Sequence, residues 1–75
     1  MKELIETIAK ALVDHPEYVR VTVVEKEKGV LYELKVHPDD MGKVIGKQGK
    51  IAKSIRTVMM AAAGKDARRV MLEIL

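Results

Sequence analysis

Two glycines three residues apart, Gly46 and Gly49, stop any single helix from running through the second half of this 75-residue chain. Glycine takes positive φ at little cost and is a poor helix former. The pattern therefore predicts a short helix before the pair and a longer one after it. Pro38 suits the first position of the short helix, with Asp39 and Asp40 in its first turn, where the helix end is positive. Met41, Val44 and Ile45 supply its apolar side. The longer helix is expected over residues 50–63, with Ile51, Ile55, Val58, Met59 and Ala62 as its apolar stripe and Gly64 as its stop.

The flanking segments alternate differently. Leu4, Ile5, Ile8, Ala11 and Leu12 recur at helical spacing over residues 2–14, and Pro16 then disfavours helix at His15. Val19, Val21 and Val23 alternate with Arg20 and Thr22, as in a half-buried strand. Residues 25–29 read as a hairpin turn, with Gly29 expected at positive φ. Val30, Tyr32, Leu34 and Val36 follow on one face of a second strand. Val70, Leu72 and Ile74 mark a third strand over residues 68–75. The expected order is α-β-β-α-α-β, an α+β fold with three helices on one face of a three-stranded sheet. The whole of residues 1–75 is expected to form one domain.

Composition narrows the chemistry. There is no cysteine, which removes disulfides and thiolate metal sites and fits a reducing cytoplasm. No apolar run of about 20 residues is present to cross a membrane. The N-terminus, with Glu3 early, lacks the pattern of a secretory signal. A cytoplasmic location is the expectation. Dimerisation is one route to stability for so short a chain.

Charge is segregated around the glycine pair. Residues 41–65 hold six basic side chains and no acid, so that window carries +6 while the remainder carries −3. Gly46-Lys47-Gln48-Gly49 sits inside it, with Lys43, Lys50, Lys53 and Arg56 close by. A helix beginning after such a loop presents free N–H groups and a positive dipole end, which attract phosphate. Glycines at both ends would let a sugar-phosphate chain approach the backbone. The same tetrapeptide also reads as an ordinary tight turn with solvated lysines.

Val44-Ile45-Gly46-Lys47-Gln48-Gly49-Lys50, followed by Ile51, resembles the signature of KH domains, which bind single-stranded RNA or DNA. The element order resembles the type II arrangement. Over essentially its whole length the chain is similar to the KhpA family of small stand-alone bacterial KH proteins. The likeness includes the Pro-Asp-Asp lead-in and Ile55-Arg56-Thr57. It implies that Gly46, Lys47, Gln48 and Gly49 clamp about four nucleotides by their backbone. It implies further that Ile45 and Ile51 wall a groove for bases, completed by an edge strand, expected to be the second. Lys43, Lys50, Lys53 and Arg56 become peripheral phosphate contacts. Ile45 and Ile51 have a second reading as core residues. The resemblance also implies a non-enzymatic RNA chaperone or post-transcriptional regulator linked to cell elongation and division. Its implied partners are single-stranded RNA, a second copy of the chain, and a larger KH protein of the KhpB (Jag/EloR) type. No cofactor is implied.

Other candidates point elsewhere. His15 and His37 each precede a proline, and a turn or cap role is expected in preference to metal binding. Asp39 and Asp40 are adjacent and do not face each other on a helix. Ser54 and Thr57 lack a base partner, so nucleophilic catalysis is not expected. The apolar arc of residues 50–63 is wider than one core stripe needs. It reads either as ordinary packing, with methionine filling gaps, or as the seat of a second helix, with Val58, Met59 and Ala62 near a dimer contact. A protein-interaction module with a KH fold and little RNA binding is the alternative. A third reading is a polycation whose affinity tracks total charge.

Overall fold

A computed structural model describes the backbone of residues 1–75 and the side chains of all but residues 66–68. Helix α1 (Lys2–Leu12) leads through a 3-10 turn (Pro16–Tyr18) into strands β1 (Arg20–Lys26) and β2 (Gly29–Lys35). A second 3-10 turn (Pro38–Asp40) opens α2 (Met41–Ile45), and α3 (Lys50–Ala63) follows the glycine loop. Strand β3 (Val70–Ile74) closes the fold. β1 pairs antiparallel with β2, from Arg20 opposite Lys35 to Lys26 opposite Gly29. β2 pairs parallel with β3, from Val30 beside Val70 to Leu34 beside Ile74. A parallel pair needs a crossover, which α2 and α3 supply.

The core lies between the helices and one face of the sheet. Ile5 and Ala9 of α1, Val44 of α2, and Ala52, Ile55 and Met59 of α3 are buried, together with Val21, Leu34 and Leu72 of the strands. Full burial of an aliphatic side chain of this size contributes about 1.5–3 kcal/mol. Within α1 and α3 these contributors lie three or four residues apart, as the helical period requires, and each strand supplies one.

The structure departs from the sequence reading at several points. β2 is the central strand, not an edge; the order is β1-β2-β3. α1 stops at Leu12 because Val13 is extended and the Asp14 N–H turns away to Asp40 Oδ1, 3.2 Å off. β1 continues through Lys26, so the expected turn shrinks to Glu27 and Lys28. Gly29 does not take positive φ. A Cβ there would lie 2.5 Å from the Arg69 carbonyl oxygen, so close packing demands this glycine. The third strand begins at Val70, two residues later than expected.

Candidate nucleic-acid interface

The loop between α2 and α3 is built from backbone conformations that side chains resist. Gly46 (φ 76°) ends α2, with its N–H donating to Gly42 O at 2.9 Å. Gln48 follows at φ 57° and Gly49 at φ 75°. Among the described residues Gln48 is the one non-glycine at positive φ, a conformation that costs about 1–2 kcal/mol and concentrates at functional sites. The two glycines serve different ends. A Cβ on Gly46 would meet Ile51 Cγ1 at 2.6 Å, whereas one on Gly49 would meet nothing within 4 Å. Internal packing therefore fixes Gly46, and the backbone at Gly49 lies open to an approaching chain. No side chain caps the start of α3, and no acid sits in its first turn.

The cations near the loop fall into two groups. Lys47, Lys50 and Lys53 are exposed, and among the described residues none of them has an ion-pair partner. Arg56 is exposed and its Nη2 reaches Leu72 O of β3 at 3.5 Å. Lys43 differs: its ammonium contacts Asp14 Oδ2 and lies 3.5 Å from Asp40 Oδ1. Two carboxylates thus neutralise a residue expected to face phosphate. The hydrogen bond to Asp14 is the main cause that raises the Lys43 pKa above 10.5, against the opposing effect of desolvation. Ser54 and Thr57 donate their hydroxyls to Lys50 O and Lys53 O, each at 3.0 Å.

The apolar residues separate as well. Ile45 and Ile51 are both half-buried against the core. Ile51 also lines a groove between α1 and α3 with Ile8, Leu12, Ser54, Ile55 and Val58, and Ile45 does not. On the other side, the sheet edge that α3 approaches through Arg56 is β3. Of the residues expected at a dimer contact, Val58 (43% exposed) and Ala62 are exposed. Met59 is not; it is 1% exposed and fills the core, so its side chain is unavailable to a partner. Met60, 49% exposed, presents the free thioether on that helix.

The front of α2 holds what the sequence reading missed. Asp40 is fully buried and accepts from Asp14 N at 3.2 Å and His15 N at 3.0 Å. Burial alone would raise its carboxyl pKa. Those two N–H groups, with Lys43 and a smaller contribution from His15, outweigh burial and hold it below the ordinary 3.8. Asp39, one residue earlier, is exposed, and nothing in the sequence distinguishes the two acids. His37 Nδ1 accepts the Asp39 N–H at 3.0 Å and so caps the 3-10 turn. Its ring stacks on His15, with centroids 4.2 Å apart, and Tyr18 meets it edge-on at 4.7 Å. The repeated His-Pro pair, His15-Pro16 and His37-Pro38, was the visible signal for this cluster. Ligand atoms of His15, His37 and Asp39 lie within 4.8 Å of one another. His37 Nδ1, however, already accepts the Asp39 N–H, which commits its lone pair to capping the turn.

An uncapped helix start, a loop at positive φ and three unpaired lysines form a surface suited to a sugar-phosphate backbone. The family model described as KhpA/KhpB, KH domain, matches residues 2–74. The RNA-binding protein KhpA of Clostridium acetobutylicum is 61% identical over 75 residues, covering all of both chains. The protein of the same name from Caldanaerobacter subterraneus is 56% identical, again over all of both chains. The Aquifex aeolicus protein of that name is 52% identical over all of this chain and 95% of its own. No solved structure matches the chain. The glycine loop thus lies in a full-length match to one family, and the chain belongs to the KhpA/KhpB KH-domain family.

Proposed function

We propose that this chain is a non-enzymatic, cytoplasmic protein that binds single-stranded RNA by clamping its backbone on Gly46-Lys47-Gln48-Gly49. The observation that carries this reading is the pairing of an open Gly49 backbone with an uncapped α3 beside Lys47, Lys50 and Lys53. Phosphates settle on the loop and helix start, and bases lie between Ile45 and the β3 edge. That edge replaces the second strand expected from sequence. The full-length relatives named RNA-binding proteins support RNA as the ligand. A role as RNA chaperone or post-transcriptional regulator, with a link to cell elongation and division, follows from the family resemblance alone.

One clamp of about four nucleotides gives modest affinity, and a second copy raises avidity without new contacts. The α1–α3 groove, with Leu12 and Val58 on its exposed rim, supports a homodimer or a heterodimer with a KhpB-type protein. The decisive experiment replaces Lys47 and Gln48 together by Asp. Affinity for an unstructured RNA should fall about 100-fold, since both new charges face phosphate. The thermal midpoint and the oligomeric state should hold. A folded double variant with unchanged RNA affinity would overturn the clamp.

A further inference from the structure

The open face of the sheet, opposite the helices, carries a pair of charges that the fold does not need. Arg20 and Lys35 stand directly opposite each other on β1 and β2, and each neighbours an inward residue, Val21 or Leu34. Both side chains therefore point outward. Like charges directly opposite on adjacent strands are destabilising. Among the described residues no carboxylate pairs with either. Arg20 is also held in place: its Nη1 donates to Glu17 O at 2.9 Å and to Val19 O at 2.8 Å. Its Nε–H and Nη2–H donors remain for a ligand.

A ring surface adjoins the two cations. Tyr18, 52% exposed, lines one shallow cleft with Glu17, Arg20 and Lys35. Behind it, His37 and His15 stack, with both imidazole planes nearly perpendicular to the Tyr18 ring. Glu17 is the one acid lining the cleft, and its carboxylate lies 3.8 Å from His15 Nδ1, toward the imidazoles. Further along the same face, Glu33 and Glu73 stand side by side in register and repel an anion. The positive end is thus confined to Arg20 and Lys35.

We propose that Arg20 and Lys35 hold one phosphate of a single-stranded RNA while its base stacks on Tyr18. This is a second nucleotide site, distinct from the glycine loop. Two fixed or paired cations suit a phosphate, and an exposed ring with cations beside it suits a base of any identity. The inference rests on the RNA-binding reading of the loop. Arg20 and Lys35 lie on the sheet face opposite the helices that carry the glycine loop, so an RNA must extend beyond the four nucleotides at the loop and round the sheet to reach both sites.

The test measures anisotropy of labelled uridine tetramer and uridine dodecamer with the full chain. Arg20→Ala with Lys35→Ala should weaken dodecamer binding about tenfold and lower its log–log salt slope by about 0.7. Tetramer binding should be unchanged. Tyr18→Ala should weaken dodecamer binding by about tenfold as well, and Tyr18→Phe, which keeps the ring, should restore it. Unchanged dodecamer affinity and slope in the double variant would overturn the second site and leave an acidic protein segment as the partner class for this patch. Equal losses for tetramer and dodecamer would overturn it too, because the effect would then act through the loop or total charge. If the unaltered chain bound neither RNA, the reading of the loop would fail, and this proposal with it.

Discussion

At the front of α2 a carboxylate with no exposure, Asp40, meets two backbone N–H groups and an ammonium. At its back, six residues on, Gly46, Gln48 and Gly49 hold positive φ, and α3 starts without a side-chain cap. One end is saturated with partners; the other presents backbone and lysines to solvent. The contrast assigns different work to similar residues. Lys43 and Lys47 lie four positions apart, yet the first is bound to the front and the second is free. The proposed clamp needs a rigid mount, and a five-residue helix is too short to stand alone. Asp40 provides the mount by tying α2 to the connection between α1 and β1.

The largest effect should come from breaking the mount. Asp40→Ala strands two N–H groups and leaves Lys43 with Asp14 alone, and unmade buried hydrogen bonds are expensive. We expect it to give the lowest urea midpoint of the variants considered, below that of Gly46→Ala. A midpoint matching Asp39→Ala would end the distinction between the two acids. The pH dependence has a definite sign. The folded Asp40 pKa lies below its ordinary value, so its stabilisation is present above pH 3.8 and is lost as pH falls below that through the folded value. Asp40→Asn should therefore show a shallower loss of stability below pH 3.8 than the unaltered chain. For Lys43 the shift is upward, so its contribution is present below pH 10.5 and fades as pH rises beyond it.

The next effect separates the two loop glycines. Gly46→Ala combines left-handed backbone strain with a clash against Ile51, and should cost about 3 kcal/mol. Gly49→Ala meets no neighbour and bears the strain alone, about 1 kcal/mol. Its methyl would stand where the RNA backbone approaches, so its loss of RNA affinity should exceed what its small destabilisation explains. Chemical denaturation alongside RNA titration checks both. Equal stability losses would show that Gly46 is not fixed by packing.

Much of this molecule was legible in its sequence. The element order followed from apolar periods, and residues 50–63 were bounded correctly by Gly49 and Gly64 because glycine at positive φ is a local requirement. What failed was non-local. Strand order cannot be read from alternation, so β2 was mistaken for an edge although the parallel β3 covers its other side. Lys43 and Met59 sit on helix faces whose surroundings are set by other elements: Asp14 of the α1–β1 connection for one, the closed core for the other. Asp40 and Asp39 differ only in where the 3-10 turn points them. The glycine loop was found because its signal is contiguous; the cleft beside Tyr18 was missed because its residues come from two strands and a turn.

The smallest effect bears on that cleft and carries the opposite sign. Lys35→Glu places an acid directly opposite Arg20 and turns a repulsive cross-strand pair into an attractive one. Such pairs contribute about 0.2–1 kcal/mol, so the variant should unfold about 0.5 kcal/mol later than the unaltered chain. It should at the same time lose affinity for a long RNA and retain it for a tetramer. A residue retained for stability cannot behave this way, because its replacement would not both strengthen the fold and weaken binding. The mount at Asp40 predicts the reverse coupling, with stability falling first and binding only through it. Measuring unfolding and dodecamer affinity on Lys35→Glu and Asp40→Asn together therefore separates a charge kept for a ligand from a charge kept for the fold, at two positions five residues apart.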